Sequence, residues 1–404
     1  MKCQSTCVIE NLKPQKDGPL MLRHLSASHS SQVKFLNLRS TVVTKEFLDE
    51  MGQFVQGIQI VDSLGVQQII LSKQFNLLHL DISNSRLRFF EIEGHVRLLT
   101  LVVSSGLLKK IPPTFRYLHA ATVIEISECP IVTLDLAPFC STFSLRALKL
   151  TKNKIRYIVN SSTVPCSPQM KQIELDENHI QVLNLELFST SSRLLRAGFV
   201  RKNAIELVVG RFTSSSLLTL ALSGNYLTRL DVCQWNTPAL SSLHIGSNRL
   251  SDVPRCLGNL SQLDFLVMHR NRFTNFDIRS VAKLKHLRFL NLALNNLSSF
   301  AMSDKEFPPS LNRLYLGYNR LESLDLSYVP VPSCEVYVSN NLIGELDIDK
   351  VSLNVTLLDM GNNPLDCSWD EKKSRRLVKC IKNPNFDPAE AYNGDSSKVL
   401  ERLT

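Results

Sequence analysis

The ten cysteines and nine histidines of this 404-residue chain are the first residues to ask for a chemical reading. The histidines are scattered, and none falls at metal-ligand spacing. There is no P-loop, no G-x-G-x-x-G, no H-E-x-x-H, no C-x-x-C and no G-x-S-x-G. No catalytic residue, cofactor or metal is therefore expected, and the chain does not read as an enzyme. The chemistry open to the cysteines is oxidative cross-linking, which needs pairs brought within a few ångströms. Four N-x-S/T sequons, at Asn160, Asn259, Asn296 and Asn354, are candidate glycosylation sites. A chain this rich in Asn and Ser carries about that number by chance, so they do not establish secretion.

Whether cysteines meet depends on the elements that carry them. The chain aligns on the template L-x-x-L-x-L-x-x-N-x-L, best in LLTLALSGNYL (217–227), LSSLHIGSNRL (240–250), LDFLVMHRNRF (263–273), LRFLNLALNNL (287–297) and LNRLYLGYNRL (311–321). The second template leucine recurs at Leu36, Ile58, Leu80, Leu101, Ile124, Leu148, Ile173, Gly198, Leu220, Leu243, Leu266, Leu290, Leu314, Val336 and Leu358. That is about 15 units at a mean spacing of about 23 residues, inside the leucine-rich-repeat range. In L-x-L the leucines point inward and the x positions outward, as in a short strand. The expected fold is thus an α/β repeat, a leucine-rich-repeat solenoid or horseshoe with a parallel concave sheet and capped ends. The divisions expected are an N-terminal flank or cap over 1–31, the solenoid over 32–366, and a cysteine cap and tail over 367–404.

The Asn position ends each strand, where a side-chain amide can bond turn backbone that burial would leave unpaired. Asn153, Asn178, Asn203, Asn225, Asn248, Asn271, Asn295, Asn319, Asn341 and Asn363 form this ladder, with Cys129 in the same place. Repeats before about residue 130 fit poorly, so distortion and fraying are expected there. Phe139, Phe188 and Trp235 share an equivalent convex position and are expected in the core.

The register turns cysteine positions into neighbours. Cys233 and Cys256 each stand 13 residues past the anchor of consecutive repeats and are expected to pair. Cys140 and Cys166 form a second candidate pair on the convex side. Cys367 and Cys380 belong to a C-terminal cap, and Cys3 and Cys7 to an N-terminal one. Cys129 reads as a buried thiol, while Cys334 either stays free or joins another chain.

Function then falls to the outward strand positions, which are rigidly spaced. In four consecutive repeats these hold Phe265, His269, Arg270, Arg288, Phe289, Arg313, Tyr315, Tyr318 and Tyr337. Aromatics beside arginines are the composition of interface hot spots, so this is the candidate partner-binding set. Further back, Lys149 and Lys152, then Glu174, Asp176 and Glu177, then Arg196, Arg201 and Lys202 read as a cross-strand charge ladder rather than a ligand site.

The net charge of +9 is a modest bias toward acidic partners on so large a surface. No continuous basic stripe is visible in the sequence, so nucleic acid is not expected as a partner. No apolar run is long enough to span a membrane, and the opening residues contain no uninterrupted apolar stretch of signal-peptide type. Cysteines that pair in register, with a cysteine-bearing cap, point to an oxidising compartment, with the signal peptide not present in this chain.

The repeats, the Cys3/Cys7 opening and the run Asn363, Pro364, Leu365, Asp366, Cys367 resemble those of mosquito leucine-rich immune proteins. The resemblance implies a secreted recognition or scaffold protein of innate immunity that binds immune or complement-like proteins, or another leucine-rich-repeat chain. Long members of that family add a coiled coil, for which the roughly 24 residues after Cys380 are too few. A truncated or coil-less member is the expectation. An intracellular adaptor or enzyme-regulatory subunit, and a Toll-type receptor ectodomain without its membrane segment, are the alternatives.

Overall fold

The structure, a computed structural model, describes residues 2–3, 6–26, 31–163, 170–189, 197–303, 305–365 and 377–379. The chain divides into two compact units, Met1–Leu217 and Leu218–Thr404. In each, short strands one repeat apart pair in parallel, as a leucine-rich-repeat solenoid requires.

In the first unit the strands Thr6–Glu10, Gln32–Leu36, Gly57–Val61, His79–Ser83, Thr100–Ser104, Val123–Ser127, Ala147–Lys149, Gln172–Glu174 and Ala197–Phe199 pair in that order. In the second the order is Thr219–Ala221, Ser242–His244, Phe265–Val267, Phe289–Asn291, Arg313–Tyr315, Cys334–Tyr337, Val355–Asp359 and Leu377–Lys379. The pairing therefore runs past both flank boundaries expected from the sequence. At one end Cys7 is in register with Val33, and Lys2–Cys3 adds an antiparallel strand; at the other Val378 is in register with Leu358.

The first anchor needs correction. Ile58 pairs with Val33, not Leu36, and Leu36 pairs with Val61. Val33 and Phe35 are the inward residues of that strand, while Leu36 is only half-buried. The remaining anchors from Ile58 to Leu358 keep the expected register within each unit, and those from Leu220 onward are buried. Each such side chain loses its hydration against the repeats on either side, which contributes about 2 kcal/mol per leucine.

The Asn ladder forms as its chemistry demands. Asn271 donates through Nδ2 to Ile245 O and Met268 O, both at 3.0 Å, and accepts from Leu250 N–H at 3.0 Å. One side chain thus closes its own turn and the turn before it. Asn178 and Asn319 repeat the pattern, accepting from Ile155 N–H and Leu297 N–H at 3.0 Å. The residue before the Asn is left-handed, glycine at Gly224 but a non-glycine residue at Lys152, Glu177, Lys202, Ser247, Arg270, Leu294, Tyr318, Asn340 and Asn362, with φ from 52 to 58° at these nine. Its N–H donates to a carbonyl of the next repeat, for example Arg270 to Ala293 O at 3.0 Å and Tyr318 to Ser339 O at 2.9 Å. These bonds hold a conformation that sterics disfavour for L-residues.

The early repeats are not distorted. Their strands are five residues long, against three in most later repeats. They also carry a second parallel sheet made of Val42–Val43, Gln68–Leu71 and Phe89–Ile92. The poor template match arises because the Asn column is filled there by Leu38, Ser63, Ser85, Gly106 and Cys129.

Away from the main sheet the repeats return through one-turn helices and strands of two to four residues. Longer helices occur at Pro14–Ser26 and at Lys45–Met51, where Thr44 Oγ1 accepts from Phe47 N–H. Phe139 and Phe188 in the first unit and Trp235 in the second are core residues, as expected.

Cys233 and Cys256 form a disulfide with Cα atoms 4.9 Å apart. Beside it Asp231 and Arg255 bridge the same two returns, Arg255 donating to the Asp231 carboxylate at 3.0 Å. Cys7 and Cys140 each take part in a separate disulfide. Cys166, Cys367, Cys380, the Cys3 side chain and the tail over 380–404 lie outside the described residues. Cys129 is a free buried thiol, as expected. Cys334 is likewise free, but only 1% exposed, and burial pushes its thiol up to about 12. An interchain disulfide through Cys334 is therefore not supported: the sulfur faces the core, where no second chain can reach it.

Candidate functional site

The candidate residues lie in four adjacent strands of the second unit or within three residues of them. Two outward columns run across them. One places Phe265, Phe289, Arg313 and Glu335 in register, the other Val267, Asn291, Tyr315 and Tyr337. The rings join into a single series. Phe265 and Phe289 lie 5.7 Å apart, Phe289 and Tyr315 5.0 Å, and Tyr315 and Tyr337 4.4 Å with their planes parallel to 1°. The series crosses from one column to the other between Phe289 and Tyr315, because Arg313 occupies the place a third ring would take.

Two of the arginines are neutralised within the sheet. Arg288 forms a two-point ion pair with Asp264, Nε donating to Oδ1 at 2.6 Å, and its guanidinium lies 5.9 Å from the Phe265 ring centre. Arg313 donates to Glu335 at 3.1 Å, and the Tyr337 hydroxyl donates to the same carboxylate oxygen at 3.0 Å. Burial pushes the Tyr315 and Tyr337 hydroxyls above the usual phenol range, so both stay protonated further into alkaline pH than a free phenol. Asp264 and Glu335 are thus part of the surface, although the sequence reading did not include them. Their signal was present: each stands at the same template position as the arginine one repeat on or one repeat back.

His269 is placed differently from its neighbours. A Cβ on Gly246 would overlap the His269 ring atoms Cε1 and Nδ1, so the ring occupies the notch that glycine leaves. Its Nδ1 is buried without a hydrogen-bond partner among the described residues. Burial, and then the Arg270 charge, hold its pKa down to about 4, so the ring is neutral at physiological pH. Arg270 and Tyr318 are not strand residues: both sit in the left-handed turn at the strand ends.

The charge ladder of the first unit forms with one change of partner. Lys149 pairs with Glu174 at 3.6 Å, Arg201 with Asp176 at 2.7 Å and Lys202 with Glu177 at 3.1 Å. Lys152 reaches back to Glu128 at 3.2 Å, on the preceding repeat. Arg196 lies outside the described residues. Of the sequons, Asn259 and Asn296 are exposed, and Asn160 is half-buried. The Asn354 amide is committed to Val329 O at 2.6 Å, a bond that a glycan on the same nitrogen would disturb.

Among the described residues no helix is long and apolar enough to cross a membrane. No protein-family model matches the chain. A curated relative, Transforming growth factor beta activator LRRC33 of Danio rerio, is 23% identical over 225 residues, which is 54% of this chain but 28% of that protein. Among solved structures, the TLR13–ssRNA13 complex is similar with a TM-score of 0.64 and 16% identity, over 95% of this chain and 64% of that one. The LRIM1/APL1C complex is similar with a TM-score of 0.55 and 16% identity, over 94% of this chain and 68% of that one. At these identities the likeness is one of fold: the chain is a leucine-rich-repeat solenoid.

Proposed function

We propose that this protein is a secreted recognition or scaffold protein of innate immunity that binds a protein partner through the outward face of the second unit's main sheet. The observation carrying this reading is the ring series Phe265–Phe289–Tyr315–Tyr337, set between the ion-paired Arg288 and Arg313. A rigid row of aromatics in outward strand positions offers contact area at low entropic cost, as interface anchors do. The disulfide-bonded cysteines support an oxidising compartment, which favours secretion over the intracellular adaptor. The resemblance to mosquito leucine-rich immune proteins, and the likeness in fold to the LRIM1/APL1C complex, support an immune partner, complement-like proteins included.

The test is affinity capture from extracellular fluid of the source organism, with wild type and the Phe289→Ala, Arg313→Ala, Tyr315→Ala variant side by side. A protein retained by wild type and lost by the variant, with thermal unfolding unchanged, is the expected result. An identical retained set overturns the site. A peptide map showing ten free thiols would overturn secretion while leaving the fold standing.

A further inference from the structure

The left-handed turn column and the rim column two residues further on treat charge differently in the two units. In the first unit the turn column carries Glu128, Lys152, Glu177 and Lys202, and adjacent members neutralise each other in pairs. In the second unit the turn column carries Ser247, Arg270, Leu294 and Tyr318, with no acid among them. The rim column there reads Tyr226, Arg249, Arg272, Asn296, Arg320 and Leu342, all exposed. Each rim residue from Arg249 onward is fixed by its backbone N–H, which donates to the preceding repeat: Arg249 to Leu227 O, Arg272 to Leu250 O, Asn296 to Phe273 O, Arg320 to Leu297 O and Leu342 to Leu321 O, at 2.8–3.0 Å.

Among the described residues, no ion pair joins Arg249, Arg270, Arg272 or Arg320 to a carboxylate. Consecutive rungs of a parallel sheet are about 5 Å apart, so Arg249 and Arg272 stand as like charges on neighbouring rungs, an arrangement that disfavours itself. Arg249 is also held in place, its guanidinium lying 4.3 Å from the centre of the exposed Tyr226 ring. These arginines form no stripe in the sequence because they are separated by whole repeats and gather only on folding.

We infer that this arginine rim is a docking track for an extended, carboxylate-rich segment of the protein partner. The inference rests on the protein-binding reading above and extends it from the aromatic row to the adjoining rim. Guanidinium forks suit carboxylates two oxygens at a time. From Arg249 to Arg320 is three rungs, about 15 Å, the length of four or five residues of extended chain. Charge argues against a polyphosphate. Asp359 lies on the outward side of the same sheet, beyond the neutral Asp264–Arg288 and Glu335–Arg313 pairs, where a nucleic-acid backbone crossing the sheet would meet it. The Tyr315 and Tyr337 faces are stacked on each other, not splayed to receive bases.

The test uses the full chain carrying Asn296→Gln, so that no glycan stands on the rung between Arg272 and Arg320. Fluorescence anisotropy of a labelled polyglutamate peptide should show saturable binding that weakens as salt rises. The Arg249→Gln, Arg272→Gln, Arg320→Gln variant should lose about tenfold or more in affinity, as expected for three charge-assisted contacts. The corresponding Arg→Lys variant should fall between, keeping charge without the fork, and its thermal unfolding serves as the folding control. Glutamine at the exposed Lys283, Lys285 and Lys305 removes the same net charge and should leave affinity within about twofold. Absence of saturable binding, an equal loss in the lysine control, or tighter binding of single-stranded RNA or heparin at the same salt would each overturn the inference. Phe289→Ala with Tyr315→Ala should leave peptide binding intact, so failure of the rim and failure of the aromatic site read out separately.

Discussion

The repeats over residues 32–127 and the Asn-bearing repeats after them close the same turn by different means. In the later repeats a single buried Asn bonds both its own turn and the one before it. In the early repeats the polar ladder sits one residue earlier, in the exposed left-handed column. There Asn84 donates to Asp62 at 2.7 Å, Asn37 to Asn11 at 2.6 Å and Ser105 to Glu128 at 2.7 Å. The buried column keeps only small contributions, such as Ser63 Oγ, which accepts from Leu38 N–H and donates to Val61 O, both at 2.9 Å. Longer strands and the second sheet supply the remaining backbone pairing. The comparison teaches that a solenoid turn needs satisfied backbone, and Asn is one route to it.

The largest effect should come from the buried Asn. Asn271→Leu strands Leu250 N–H and weakens the hold on Ile245 O and Met268 O, so unfolding free energy should fall by about 4 kcal/mol. Denaturant unfolding checks this, and a loss no larger than that of an early serine would break the contrast. Next, Cys233→Ser with Cys256→Ser releases the loop that the disulfide closes and should cost about 3 kcal/mol. If the two units unfold separately, that loss should appear only in the second unit's transition, which hydrogen exchange would resolve.

The third effect is a pH dependence at His269. The unfolded histidine titrates near 6.5, while the folded one is held down to about 4. Below 6.5 the unfolded chain takes up a proton that the folded chain refuses, so this contribution is complete above 6.5 and is lost as pH falls toward 4. His269→Gln should therefore lose less stability than wild type between pH 7 and 4.5 in thermal melts; parallel losses would count against the buried, neutral ring. Smallest is Ser63→Ala, at about 1 kcal/mol, because one side-chain bond closes that turn. A loss matching that of Asn271→Leu would mean the early repeats depend on their buried column as much as the later ones.

The anchor columns were legible because Leu, Ile and Val at a fixed spacing have no better place than the core. The slip at Leu36 shows the limit. Phe35 and Leu36 are adjacent apolar residues, and only pairing partners decide which one faces in. The early ladder was illegible for a related reason: Asp62 and Asn84 stand one position off the template, so a pattern tuned to the Asn column passes over them. At the candidate site the rings were legible as outward positions. Their neutralising acids and the His269 notch depend on cross-strand neighbours, which a template read one repeat at a time does not compare.

The left-handed column has a further consequence. In the later repeats, where the buried Asn closes the turn and backbone bonds to the next repeat set the conformation, the side chain of this column is released from turn closure. Ser, Glu, Lys, Arg, Leu, Tyr and Asn all occupy it. The column therefore works as a line of writable characters along a fixed spine. One letter can be exchanged per repeat to redraw surface charge, leaving the scaffold that carries the text unedited.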